Sequence, residues 1–128
     1  MTNVDLWPAG IGLDSEIKVP TSILKEQAAL LAQKTRGLVV AEVRGEADPR
    51  DGKFVDNFYL VGPNVSYRYL LFTIRYPIEL YPVELFFEPW NETGLPMYNE
   101  QDLIDNLKQL FAHQKTGQII QAIIARSK

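Results

Sequence analysis

The sequence predicts an α+β domain: an N-terminal helix, a four-stranded antiparallel meander, and two C-terminal helices packed on the sheet. Apolar residues recur at helical spacing near both ends of the chain, and β-branched and aromatic runs fill its middle. The connections between those runs are short, which favours antiparallel neighbours.

Residues 1–19 carry no sustained period and hold Trp7-Pro8, Gly10 and Gly12, which marks an extended lead-in with Trp7 as its anchor. A first helix is expected at 22–35. Pro20-Thr21-Ser22 supplies a hydroxyl for its start, Leu24, Ala28 and Leu31 form its stripe, and Gly37 stops it. LVVAEVR (38–44) and FVDNFYLV (54–61) read as strands around the polar loop 46–53. VSYRYLLFTIRY (65–76) reads as a third strand and IELYPVELFFE (78–88) as a fourth, bulged or at an edge because Pro82 has no N–H to donate. Residues 89–98 read as a loop. Asn99 caps a second helix whose stripe is Leu103, Leu107 and Leu110. Thr116 is expected to cap a third, in which Ile119, Ile120, Ile123 and Ile124 repeat.

The chain has 128 residues, 46% of them hydrophobic and 23% charged, enough for a core in one domain spanning 1–128. It has no cysteine, which excludes disulfides, thiolate metal sites and cysteine nucleophiles. Asp5 interrupts the apolar stretch a signal peptide needs, and no run reaches the length of a membrane span. A cytoplasmic protein without membrane attachment is the expectation.

Motifs for chemistry are absent. His113 is the sole histidine, and Ser15, Ser22, Ser66 and Ser127 lack the flanking glycines of a nucleophile elbow. The loop Asp48-Pro49-Arg50-Asp51-Gly52 lacks the alternating ligands and late glutamate of a calcium loop. No catalytic residue, metal or cofactor is therefore assigned. Strand three interleaves Tyr67, Arg68, Tyr69, Arg75 and Tyr76, but without the glycines of an RNA-recognition strand. The net charge of −3 also disfavours nucleic acid as a partner.

Charge is sorted along the chain. Pro77 to Leu107 holds Glu79, Glu84, Glu88, Glu92, Glu100, Asp102 and Asp105 and no Lys or Arg, while Lys108, Lys115, Arg126 and Lys128 follow. Alternation places Glu84 and Glu88 on one face of the fourth strand, with Phe86 between them and Glu79 and Tyr81 beside them. Tyr67 and Tyr69 extend that acidic, aromatic surface. Such a face meets a basic partner through complementary charge. The expected function is a protein-interaction module, in its sharpest form an intracellular inhibitor or toxin-immunity protein. The alternative is a small-ligand binder or enzyme using dispersed carboxylates and tyrosines.

PTSILKEQAALLAQKTRGLV, YRYLLFTIRYPIELYPVELFF and the closing two-helix run resemble small uncharacterised bacterial α+β proteins. The resemblance implies a bacterial source and supplies no functional residue.

Overall fold

A computed structural model describes residues 4–12, 15, 17–90 and 93–128. The elements follow in the order α1 (Pro20–Lys34), β1 (Val40–Ala47), β2 (Phe54–Gly62), a 3-10 turn (Pro63–Val65), β3 (Tyr67–Tyr76), β4 (Val83–Phe86), β5 (Leu95–Met97), α2 (Glu100–Phe111) and α3 (Gln114–Ser127). The strands form one antiparallel sheet in the order β1-β2-β3-β4-β5. This is the α+β arrangement expected, with five strands rather than four.

The helices cover one face of the sheet. α1 runs back along β1, α3 crosses β2 and the 3-10 turn, and α2 lies beside β5. Phe58, Leu60, Phe72, Ile74, Leu85 and Met97 point into this layer, where they join Leu24, Leu103, Leu107, Leu110 and Ile123. Phe58 and Phe72 stack across the strands at 4.8 Å between ring centres, and Phe111 tilts onto both. Among the described residues no helix packs on the opposite, open face of the sheet.

Local chemistry explains most boundaries. Pro20 takes the first helical position, where a missing N–H costs nothing. Gly37, at φ 79°, closes the helix end by donating its N–H to the Ala32 carbonyl at 2.9 Å. Asn99 caps α2 by accepting from the Asp102 N–H at 2.8 Å, and Asp102 accepts in return from the Tyr98 N–H at 3.0 Å. Phe87 sets its ring edge-on to Trp90 and His113, which pins the end of β4 to the corner between α2 and α3.

Five expectations need correction. α1 begins at Pro20 rather than 22, with Val19 at the N-cap and no side-chain hydroxyl capping it. The fourth strand is not 78–88 but Val83–Phe86. Pro77 and Pro82 lack donors, and Leu80, at φ 83°, donates to the Pro77 carbonyl to close a turn over 77–80 that the cis Tyr81–Pro82 bond follows. The stretch read as a loop at 89–98 contains β5, whose Met97 pairs with Val83. Thr116 does not cap α3. His113 caps it, its Nδ1 accepting from the Lys115 N–H at 3.0 Å, and the buried Thr116 hydroxyl donates to the Leu110 carbonyl at 2.8 Å. Trp7 is 74% exposed and does not anchor the lead-in among the described residues.

Candidate interaction surface

β3 decides which residues share a surface. Its pairing with β2 slips between Phe58 and Tyr59, so Leu71 is an extra residue without a partner. The bulge reverses the facing of everything before it. Thr73 and Arg75 lie on the open face, opposite Asn57 and Val55, but Tyr67 and Tyr69 lie on the helix side, opposite Gly62 and Leu60. Arg68 and Leu70 take the open face in their place.

The expected acidic, aromatic surface therefore divides. Glu84 and Phe86 sit on the open face beside Arg75 and Thr73. Tyr69 packs against the core, and Tyr67, 46% exposed, borders a groove of about 230 Å³ lined by Val65, Ile119, Ala122, Ile123 and Arg126. Glu79 is exposed in the 77–82 turn. Tyr81 packs on the core with its hydroxyl buried and without a hydrogen-bond partner among the described residues; burial first, then the nearby Glu100 charge, pushes its phenol pKa up. Glu88 is exposed just past β4. Glu92 lies outside the described residues.

Charges on the open face are mostly paired. Lys53 reaches Glu84 at 3.4 Å, and Arg68 reaches Glu42 at 2.9 Å while lying over the Tyr59 ring. Arg75 bonds Asp48 at 3.3 Å and also Asp51. Two hydrogen bonds from the Arg50 guanidinium, with a third from its backbone N–H, hold the Asp48 carboxyl down to about 2. The acidic sector is dispersed as well: Glu100 and Asp102 serve the start of α2, and Asp105 accepts from Gln101.

A buried polar cluster lies on the other face. Asp56, 2% exposed, accepts from the Thr21 hydroxyl at 2.5 Å and from the Tyr76 hydroxyl at 3.3 Å. Burial pushes its carboxyl up, against those two bonds and the Lys25 charge, which pull it down. A Cβ at Gly45 would stand 2.6 Å from Asp56 Oδ1, so only glycine leaves room on β1. The cluster ties the first turn of α1 to the middle of the sheet. It is a structural tie that composition and spacing did not disclose; the one sequence signal was an Asp at an inward position of a strand.

The feature that gathers two of the expected residues, Phe86 and Glu88, is a gap in the ladder. β3 has ten residues, yet β4 pairs only with Thr73, Ile74 and Arg75. Beyond Phe86 the chain turns away, with Trp90 donating to the Phe87 carbonyl at 3.0 Å. Among the described residues no strand pairs with Tyr67–Phe72 on that side, which leaves a free edge. The resulting notch, about 410 Å³, is lined by Leu70, Leu71, Phe72, Thr73, Phe86, Phe87 and Glu88. Leu70 is 46% exposed in it. A free strand edge offers backbone donors and acceptors, Leu70 and Phe86 offer apolar contact, and Glu88 offers charge at the mouth.

The chain matches no protein-family model, no curated protein and no solved structure in comparison with known proteins.

Proposed function

We propose that the protein is an interaction module that captures an extended segment of a basic protein in the notch beside β3. The observation that carries this reading is the free edge of Tyr67–Phe72 next to the exposed Leu70. An added strand gains main-chain hydrogen bonds from such an edge and side-chain specificity from the flanking positions. Phe86 and Glu88, two of the residues expected to bind a partner, border it. Glu88 forms no ion pair among the described residues, whereas Glu84 is already paired with Lys53. An inhibitor or immunity role is the sharpest form of this function, since neutralising a basic toxin requires capture without chemistry.

The test is selection from a displayed library of random peptides. Extended sequences with Lys or Arg and an apolar residue at alternate positions are expected. Leu70→Lys should weaken their binding by about tenfold or more, because it removes the apolar contact and sets a like charge against the peptide's Lys or Arg. Leu70 is half exposed, so the substitution spares the core. Equal binding by wild type and Leu70→Lys would sink the proposal.

A further inference from the structure

The sheet treats its two edges differently. β5 is three residues long and carries Pro96, which blunts it against pairing. β1 is eight residues long, pairs with β2 without any register shift, and contains no proline or lysine. On its outer side no backbone hydrogen bond from another element reaches Val40–Ala47 among the described residues. A long, regular, unprotected edge is a template for another strand.

We propose that this edge pairs antiparallel with β1 of a second copy, on a two-fold axis through Val43. The charges of the strand select that register. Glu42, Arg44 and Glu46 project from the open face, in line with Tyr59, Asn57 and Val55 of β2. Residues directly opposite in an antiparallel pair share a face, so a two-fold axis passes through a residue position. An axis through Glu42 sets Glu42 against itself. An axis through Arg44 sets Arg44 against itself and Glu42 against Glu46. An axis through Gly45 sets Glu42 against Asp48. An axis through Val43 sets Glu42 against the second copy's Arg44, and Arg44 against the second copy's Glu42, with Ala41 opposite Gly45 on the other face. Only this last register overlaps nearly the whole strand without a like-charge pair.

The interface is isologous, so each favourable contact occurs twice. It produces a continuous ten-strand sheet with both α1 helices on one side. It lies across β2 from the notch beside β3 and leaves that notch open, so it stands or falls separately from partner capture.

The experiment is mass measurement by sedimentation, with thermal melting to confirm that each variant is folded. Wild type should reach the dimer mass as concentration rises. Arg44→Glu removes the Arg44–Glu42 ion pair within the chain, at 3.3 Å, and leaves the Arg68–Glu42 pair in place. It should raise the dimer dissociation constant by about tenfold or more, since Glu42 then faces Glu at both contacts. Glu42→Arg should do the same. An equal mixture of the two single variants should dimerise again, because each mixed contact joins opposite charges. The chain carrying both substitutions should also recover the dimer. A wild type that stays monomeric to its solubility limit overturns the proposal, as does a dimer indifferent to the swaps or a mixture that fails to recover.

Discussion

Asp56 is the residue on which the joint between helix layer and sheet depends. Its folded pKa is raised chiefly by burial, above the ordinary value of 3.8. A carboxyl raised in this way binds more protons folded than unfolded. The stability attached to it is fully present below the unfolded value and is lost as pH rises through the folded one. Asp48 works in the opposite sense: held down to about 2, it contributes above its ordinary value and loses that contribution as pH falls towards 2. Comparison with Asp56→Asn isolates the first effect, since an Asn oxygen still accepts from Thr21 but does not titrate. As pH falls from 7 to 4, the melting temperature of the wild type should rise relative to the variant. Parallel curves over that range would show that Asp56 is not perturbed by its surroundings. The same scale contains two misassigned caps: Val19 takes the N-cap position of α1 with no side-chain bond, and the Thr21 hydroxyl expected there serves Asp56 instead. Thr116 satisfied the residue preference for an N-cap, yet His113 performs the role and frees Thr116 for the buried Leu110 carbonyl.

At the scale of elements, α2 gives the plainest test of packing. Leu107 is 3% exposed in the centre of its apolar stripe. Leu107→Ala should cost about 2–5 kcal/mol by denaturant titration; a loss below about 1 kcal/mol would mean that the stripe does not face the sheet. The helices were legible in the sequence because caps and stripes are local signals: Asn99, Gly37 and the Leu103-Leu107-Leu110 spacing all do what their chemistry suggests. β5 was not legible, because three residues with a central proline carry no period and form a strand only through pairing with β4. The bulge was hidden for a related reason. Leu70, Leu71 and Phe72 are all apolar, so the run looks the same with or without an extra residue, while the bulge turns Tyr67 and Tyr69 to the other face. The expected surface therefore divides: Phe86 and Glu88 stand together at the notch, and Tyr67 and Tyr69 lie on the helix side of the sheet.

For the molecule as a whole, the distribution of charge matters more than its net value. The acidic run 77–107 becomes several separate features in the fold: an ion pair at Glu84, a helix start at Glu100 and Asp102, and the exposed Glu79 and Glu88. Exposed charges contribute little to folding, so Glu84→Gln and Glu88→Gln should each change stability by no more than about 0.5 kcal/mol. They differ in what they do to encounters. Charge steers association over about 8 Å at physiological salt. Glu88→Gln should slow capture of a basic peptide at low salt, measured as an on-rate by surface plasmon resonance. Glu84→Gln should change it less, because Lys53 already screens that carboxylate. Equal slowing by both would place the docking face lower on the sheet.

Backbone amide exchange with and without a selected peptide tests strand capture most directly. Binding in the notch should slow exchange along Tyr67–Phe72 and at Phe86–Glu88, with β1 unchanged at concentrations where the chain is monomeric. Protection that appears instead on α1 or on the open face of β1 and β2, with Tyr67–Phe72 exchanging as in the free protein, would contradict it.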